Sequence, residues 1–61
     1  MENSNKIELL LAKLRQPLSF DFISKVILEV DEYETKEILN SLIEDEVIVE
    51  NEKNFYVLKN N

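Results

Sequence analysis

The chain has 61 residues, of which 13 are acidic and 7 basic, and it contains no histidine, cysteine, tryptophan or glycine. The absence of histidine and cysteine excludes zinc fingers, disulfide cross-links and nucleophilic sites of the Cys–His or Ser–His–Asp kind. The absence of glycine excludes the glycine-rich loops that bind phosphate groups. So short a chain predicts one small domain over residues 1–61, with no catalytic residue, cofactor, metal or small-molecule substrate.

The formal net charge is −6, and a strongly acidic surface repels the phosphate groups of DNA and of anionic membranes. Apolar residues make up 44% of the chain, too large a share for a disordered acidic tail. Apolar runs such as residues 9–12 are far shorter than a membrane span, and the first residues lack the features of a signal peptide. We therefore expect a cytoplasmic protein that does not bind membranes.

The first helix is predicted over about residues 5–15, because apolar residues recur three and four positions apart and form one face. This face consists of Ile7, Leu10, Leu11 and Leu14. Ser4 or Asn5 can cap the start of the helix. Pro17 predicts its end, because proline disfavours helical geometry at the residue before it.

The second helix is predicted over about residues 20–30, with Ser19 as its N-cap, and the third over about residues 32–45, with Asp31 as its N-cap. The apolar stripe of the second helix is Phe20, Ile23, Val26, Ile27 and Val30. That of the third helix is Thr35, Ile38, Leu39 and Leu42. Only a residue or two separates the two helices, which predicts a tight helix–turn–helix.

Two runs of β-branched and aromatic residues follow, and they predict an antiparallel hairpin with strands over about residues 47–50 and 55–59. The turn lacks glycine, but Asn51 and Asn54 tolerate a positive φ. If Glu50 pairs with Phe55, both faces of the hairpin are largely apolar. One face then holds Val47, Val49, Tyr56 and Leu58, and the other holds Ile48, Phe55 and Val57.

These stripes predict an α+β fold with a core built from all the elements. The predicted core is Ile7, Leu10, Leu11, Leu14, Leu18, Ile23, Val26, Ile27, Ile38, Leu39, Leu42, Ile48 and Tyr56. A three-helix bundle followed by a disordered tail is the alternative, but it leaves the strand-like composition of the last 15 or so residues unexplained.

The order of these elements resembles that of winged helix-turn-helix proteins of bacteria and archaea. The residues that carry the resemblance are Ile7–Leu14, Leu18–Ser19, Thr35–Ile43, Val47–Val49 and Phe55–Leu58. They are similar to a leucine-rich third helix, a short break, a leucine–isoleucine strand, a wing and a tyrosine-x-leucine motif. The resemblance implies a three-helix helix-turn-helix core followed by a two-stranded wing. Glu46 departs from it, because this family commonly has a glycine after the third helix.

The resemblance also implies how such a protein contacts DNA, with the third helix in the major groove and the wing on the backbone or minor groove. The corresponding positions here are Tyr33, Lys36, Glu37, Asn40, Lys53 and Asn54. Asn40 can pair with adenine, and Lys36 can contact guanine or phosphate. Lys36 is, however, the single cation of the predicted third helix, whereas binding to phosphates normally takes several. A plain solvated face is the alternative interpretation.

Protein binding is indicated by two other features. The second apolar face of the hairpin predicts a contact with a partner or a second copy through Phe55 and Val57, and Val49 of the other face is a further candidate for this contact. The alternative is that the first helix covers this face, helped by Leu9 and Ala12, which lie off its apolar stripe. The acidic run Glu44, Asp45 and Glu46 opposes the dipole of the third helix and predicts a docking patch for a basic partner, unless it is only a solvated turn.

We therefore predict a non-catalytic interaction module that binds protein, either a second copy of itself or a member of a larger assembly. A version of this hypothesis is an inhibitor whose acidic face mimics DNA. The alternative is a small transcriptional regulator that binds duplex DNA through the third helix and the wing, as a dimer that gathers enough cations.

Overall fold

The computed structural model describes the backbone of residues 2–59 and the side chains of residues 5–59. Within this part of the chain, three helices and a three-stranded antiparallel sheet confirm the predicted α+β class. The elements in chain order are α1 (Glu2–Lys13), β1 (Leu18–Ser19), α2 (Phe20–Phe22), which continues directly into a π-helical segment (Ile23–Leu28), α3 (Glu32–Glu44), β2 (Ile48–Glu52) and β3 (Phe55–Leu58).

Helix α1 begins and ends earlier than predicted. It already includes Ser4 and Asn5, so the prediction that one of them caps the helix is wrong. At its end, the Leu14 N–H donates to the Leu11 carbonyl at 3.3 Å, which tightens the last turn. The Leu14 carbonyl in turn accepts from the Leu58 N–H at 3.0 Å, so the chain leaves the helix to bond to the sheet.

Strand β1 was not predicted, so the predicted two-stranded hairpin is present as β2 and β3 but belongs to a sheet of three strands. Leu18 pairs with Tyr56 and Ser19 with Phe55, which makes β3 the central strand in the order β1-β3-β2. A strand of two residues is too short to show an alternating pattern in the sequence. Ser19 is also the predicted N-cap of the second helix, and its hydroxyl accepts from the Phe22 N–H at 3.1 Å.

The second helix changes from α- to π-helical geometry, and this changes which residues it buries. In a π-helix the hydrogen bonds span five residues, so positions four and five after a given residue share its face. Ile27 and Leu28 therefore face the core together with Ile23, and Leu28 is only 1% exposed. Val26, three positions after Ile23, is 56% exposed, so its predicted place in the core is wrong.

The π-helical segment ends at Leu28, two residues before the predicted end. Glu29 adopts the left-handed conformation with φ 57°, and its N–H donates to the Ser24 carbonyl. The same carbonyl accepts from the Val30 N–H at 3.2 Å, while the buried Ser24 hydroxyl donates to the Val30 carbonyl at 2.8 Å. These bonds to Ser24 fix the turn that leads into α3.

Helix α3 has the predicted N-cap and nearly the predicted length. The Asp31 carboxylate accepts from the Glu34 N–H at 2.8 Å. At the other end, the Val47 N–H donates to the Leu42 carbonyl and the Glu46 N–H to the Ile43 carbonyl, both at 2.9 Å. This pair of bonds is a Schellman motif, which needs a left-handed residue after the helix. Glu46 supplies it with φ 62°.

The register of the hairpin differs from the predicted one. Glu50 lies opposite Tyr56, whereas Phe55 lies opposite Glu52, and a bulge separates the two pairs. Asn54 has the predicted positive φ (66°), but Asn51 lies within β2, so its predicted place in the turn is wrong. Both predicted face assignments are therefore wrong, because partners across an antiparallel pair share a face. Ile48, Tyr56 and Leu58 now face the core.

The core lies between the helices and one face of the sheet. Its buried apolar side chains among the described residues are Leu10, Leu14, Ile23, Ile27, Leu28, Leu39 and Ile48. The predicted core residues that the structure leaves only partly buried are Ile7, Leu11, Leu18, Ile38, Leu42 and Tyr56. The sequence pattern missed Leu28, for the π-helical reason given above. Thr35 was part of the predicted stripe of the third helix but not of the predicted core, and its buried hydroxyl donates to the Asp31 carbonyl at 2.8 Å.

Candidate interaction surfaces

The outer face of the sheet carries three apolar residues, which we call the sheet strip: Val49, Phe55 and Val57. Val49 lies directly opposite Val57, and Phe55 lies two positions from Val57 on the same strand, so all three side chains share one face. None of them packs against the core cluster, whereas Tyr56 and Leu58 on the other face do. Phe55 is 39% exposed, whereas Val49 and Val57 are half-buried. The structure thus brings together the three apolar residues predicted to bind a partner.

Leu9 and Ala12 do not cover the sheet strip. Both are exposed, and Leu9 is 45% exposed. The core-facing side chains of α1, including Leu10 and Leu14, pack with Ile23 and Ile27 of the π-helical segment. The helix therefore covers the second helix rather than the outer face of the sheet.

The acidic run predicted as a docking patch is exposed at the end of α3. Glu44 is the last helical residue, Asp45 the C-cap and Glu46 the left-handed residue after it. The Glu46 carboxylate bonds to the Lys59 ammonium at 3.2 Å. Residues 1–30 carry four cations and four anions, so the whole net charge of −6 belongs to residues 31–61. The sheet strip and the acidic run both lie in this acidic half of the chain.

Three of the six residues predicted to contact DNA line one groove of about 340 Å³, which we call the wing groove. They are Tyr33 and Lys36 of α3 and Asn54 of the hairpin turn. Its full lining is Phe20, Glu32, Tyr33, Lys36, Asn54 and Tyr56. Glu37 lies instead in a groove between α1 and α3, while Asn40 and Lys53 are exposed and line neither groove.

The electrostatics of the wing groove are mixed. Lys36 is the one cation among its lining residues, and Glu32, four residues earlier on the same helix, is the one anion. The Glu50 carboxylate accepts from the Asn54 N–H at 2.9 Å, which holds the turn against β2. Burial, and secondarily the Glu50 charge, raises the pKa of the Tyr56 phenol above its ordinary value of 10.0, so Tyr56 stays neutral at physiological pH. The groove offers aromatic rings and one cation rather than a row of cations.

A second groove, of about 440 Å³, lies where the end of α1 meets β1 and α2, and the sequence did not predict it. We call it the basic groove, because its charged lining residues are the cations Lys13 and Arg15. Its full lining is Ala12, Lys13, Arg15, Gln16, Leu18 and Phe22. The one sequence signal for it was Ala12, an apolar residue off the main stripe of α1 and next to cations.

A third groove, of about 300 Å³, lies between α1 and α3, and we call it the acidic groove. Its charged lining residues are Glu34 and Glu37. Its full lining is Ile7, Glu34, Glu37, Ile38, Ser41 and Leu42. Glu34, Glu37, Ile38 and Ser41 have the spacing i, i+3, i+4 and i+7, so they form one face of α3.

Among the described side chains of residues 5–59, no three acidic groups converge in the way that metal ligands do. None of the helices in the described part of the chain is long and apolar enough to cross a bilayer. Comparison of the chain with protein-family models, with curated proteins and with solved structures finds no match in any of the three.

Proposed function

We propose that this chain is a non-catalytic winged-helix module that binds another protein through its sheet strip. The observation that carries the proposal is the placement of Val49, Phe55 and Val57 together on a sheet face that the core does not use. The solvent side of a sheet is usually polar, so a strip formed by the half-buried Val49 and Val57 and the exposed Phe55 supports an interface here. The order of three helices followed by a hairpin supports the winged-helix part of the proposal.

The surroundings of the sheet strip indicate the chemistry of the partner. Glu52 lies opposite Phe55 at the end of the strip, and all the net negative charge lies in this half of the chain. A second copy that docked through the same strip would bring Glu52 and the other carboxylates of this half close to their equivalents, which is unfavourable. The partner we propose is therefore a different protein surface, apolar at its centre and basic at its rim.

Site-specific photo-cross-linking tests the proposal in the cells that express the chain. A photo-reactive phenylalanine analogue replaces Phe55 in one variant and Tyr33 in the other. Tyr33 is the matched control, because it is an aromatic residue that is 72% exposed and lines the wing groove rather than the sheet strip. We expect position 55 to cross-link a protein and position 33 not to do so.

The cross-linked protein is then purified and its affinity measured by calorimetry. We expect Val57→Lys to weaken binding on the order of tenfold or more, because it places a charge at the centre of an apolar contact. Circular dichroism must show that this variant remains folded. Failure of position 55 to cross-link any protein, or unchanged binding by the folded Val57→Lys chain, would contradict the proposal.

DNA binding is the second candidate, favoured by the wing groove, which brings Tyr33, Lys36 and Asn54 together. The surrounding charge opposes it, because α3 also carries Glu32, Glu34, Glu37 and Glu44. The cross-linking experiment separates the two functions. If position 33 cross-links to DNA and position 55 cross-links to nothing, the chain binds DNA instead.

A further inference from the structure

The basic groove and the acidic groove carry charges of opposite sign around apolar residues. In the basic groove, Lys13 and Arg15 lie beside Phe22 and Ala12. In the acidic groove, Glu34 and Glu37 lie beside Ile38. All four charged side chains are exposed. The basic groove and the acidic groove are therefore complementary in charge, and neither contains a residue of the sheet strip.

The two grooves open on opposite sides of α1. Ile7 lines the acidic groove, whereas Ala12 and Lys13 line the basic groove. Five and six residues separate them from Ile7, and at about 100° per residue this places them well round the helix, away from Ile7. One copy cannot bring its own two grooves together, but two copies can, because each surface is accessible from outside.

We propose that copies of this chain bind one another head to tail, with α3 of one copy lying in the basic groove of the next. The face of α3 formed by Glu34, Glu37, Ile38 and Ser41 has the spacing with which helices bind grooves. Glu34 and Glu37 meet Lys13 and Arg15, and Ile38 meets the exposed ring of Phe22. The second copy is the occupant that this charge complementarity selects.

The symmetry of this contact follows from its geometry. Two different surfaces meet, so the contact is heterologous, and the second pair of surfaces remains free after each addition. Copies therefore add to one another as concentration rises, into closed rings where the rotation between neighbours closes and into open chains where it does not. Added salt weakens the contact, because its charged groups are exposed to solvent. Self-association in this way goes beyond the proposed binding of a partner by the sheet strip and uses none of its residues.

Charge reversal at two positions tests this inference by sedimentation velocity at low salt. Arg15 lies outside the helices and Glu37 in the middle of α3, so Arg15→Glu and Glu37→Lys leave the caps and helix ends intact. The matched controls are Lys53→Glu and Glu52→Lys, which change the net charge by the same amounts at exposed positions outside both grooves. A fifth variant, Val57→Lys, tests whether association depends on the sheet strip.

We expect the wild-type chain, both controls and Val57→Lys to associate as concentration rises. Each of the two groove variants alone should require on the order of tenfold higher concentration or more, because like charges then face each other. An equimolar mixture of Arg15→Glu and Glu37→Lys should associate again, since each mixed contact now joins opposite charges.

Three outcomes would overturn the inference. The first is a wild-type chain that remains monomeric at millimolar concentration and low salt. The second is association of the groove variants as strong as that of the controls, and the third is an equimolar mixture of the groove variants that does not associate. Loss of association in Val57→Lys alone would instead assign self-association to the sheet strip. Failure of the cross-linking experiment at position 55 leaves these outcomes unchanged, so the two proposals fail separately.

Discussion

At the scale of single residues, the chain closes three of its elements with left-handed residues although it has no glycine. Glu29, Glu46 and Asn54 have φ values of 57°, 62° and 66°. Asparagine tolerates this conformation, but a glutamate in it pays a steric cost of about 1 kcal/mol. Hydrogen bonds offset this steric cost, because each of the two glutamates follows a helix and its N–H bonds to one of the final carbonyls of that helix.

Glu46 provides a direct test of that cost. We expect Glu46→Gly to raise the free energy of unfolding by about 0.5–1 kcal/mol, because glycine adopts a positive φ without a steric penalty. For a chain of this size, such a gain raises the melting temperature by roughly 4–8 °C per kcal/mol. The exposed ion pair with Lys59, which the substitution removes, contributes little.

The matched control for this substitution is Glu44→Gly, two residues earlier. Glu44 has helical geometry as the last residue of α3, so glycine there should lower the stability by about 0.5–1 kcal/mol. Thermal unfolding followed by circular dichroism distinguishes the two. If both glycine variants lose stability, backbone strain at Glu46 is not the dominant effect.

At the scale of elements, the features that could be predicted from the sequence are those set by contacts between residues close together in the chain. The N-caps at Ser19 and Asp31 are examples, since each bonds to an N–H three residues away. The interior of the second helix was not predictable in the same way. A pattern read with a period of 3.6 residues places Val26 inside, whereas the π-helical bonds turn Val26 outward and Leu28 inward.

The π-helical segment predicts a large loss of stability on truncating one aliphatic residue and almost none on truncating its neighbour. Ile27→Ala should lower the free energy of unfolding by about 2–5 kcal/mol, because it leaves a cavity in the core. A domain of this size has only about 3–5 kcal/mol to lose, so this variant should be largely unfolded at room temperature. Val26→Ala should change the stability by less than about 0.5 kcal/mol, because Val26 faces solvent.

Chemical denaturation of the two variants measures these changes. An ordinary α-helical register would produce large losses at both positions, because Val26 would then lie beside Ile23 in the core. Comparable losses for Val26→Ala and Ile27→Ala would therefore contradict the π-helical assignment.

The sheet shows a second limit of prediction from sequence. The strand composition of residues 48–58 was sufficient to predict a hairpin, but a one-residue difference in register exchanges every side chain between the faces. The bulge after Glu50 determines the register of β2 against β3, and no residue pattern in the local sequence predicts this bulge. The grooves were beyond prediction for a related reason, since Phe22 and Arg15 meet only once β1 has placed α2 beside the end of α1.

At the scale of the whole molecule, charge is distributed unevenly, and this affects stability as well as binding. Residues 31–61 carry nine anions and three cations. In the described part of the chain the ion pairs are Lys6 with Glu29 at 3.9 Å, in which Lys6 is half-buried and Glu29 exposed, and Lys59 with Glu46 at 3.2 Å, in which both side chains are exposed. Exposed pairs are weak, so repulsion among the unpaired carboxylates outweighs them.

This balance predicts that salt stabilises the fold. Raising sodium chloride from 10 to 150 mM shortens the screening length from about 30 Å to about 8 Å and suppresses the repulsion. We expect the melting temperature to rise by a few degrees, measured at low micromolar concentration to keep self-association to a minimum. Glu52→Lys reduces the net negative charge from −6 to −4 at an exposed site, so the melting temperature of this variant should rise less with salt. A melting temperature that falls as salt is added would contradict this prediction. It would mean that attractive ion pairs stabilise the fold by more than the repulsion among the carboxylates destabilises it.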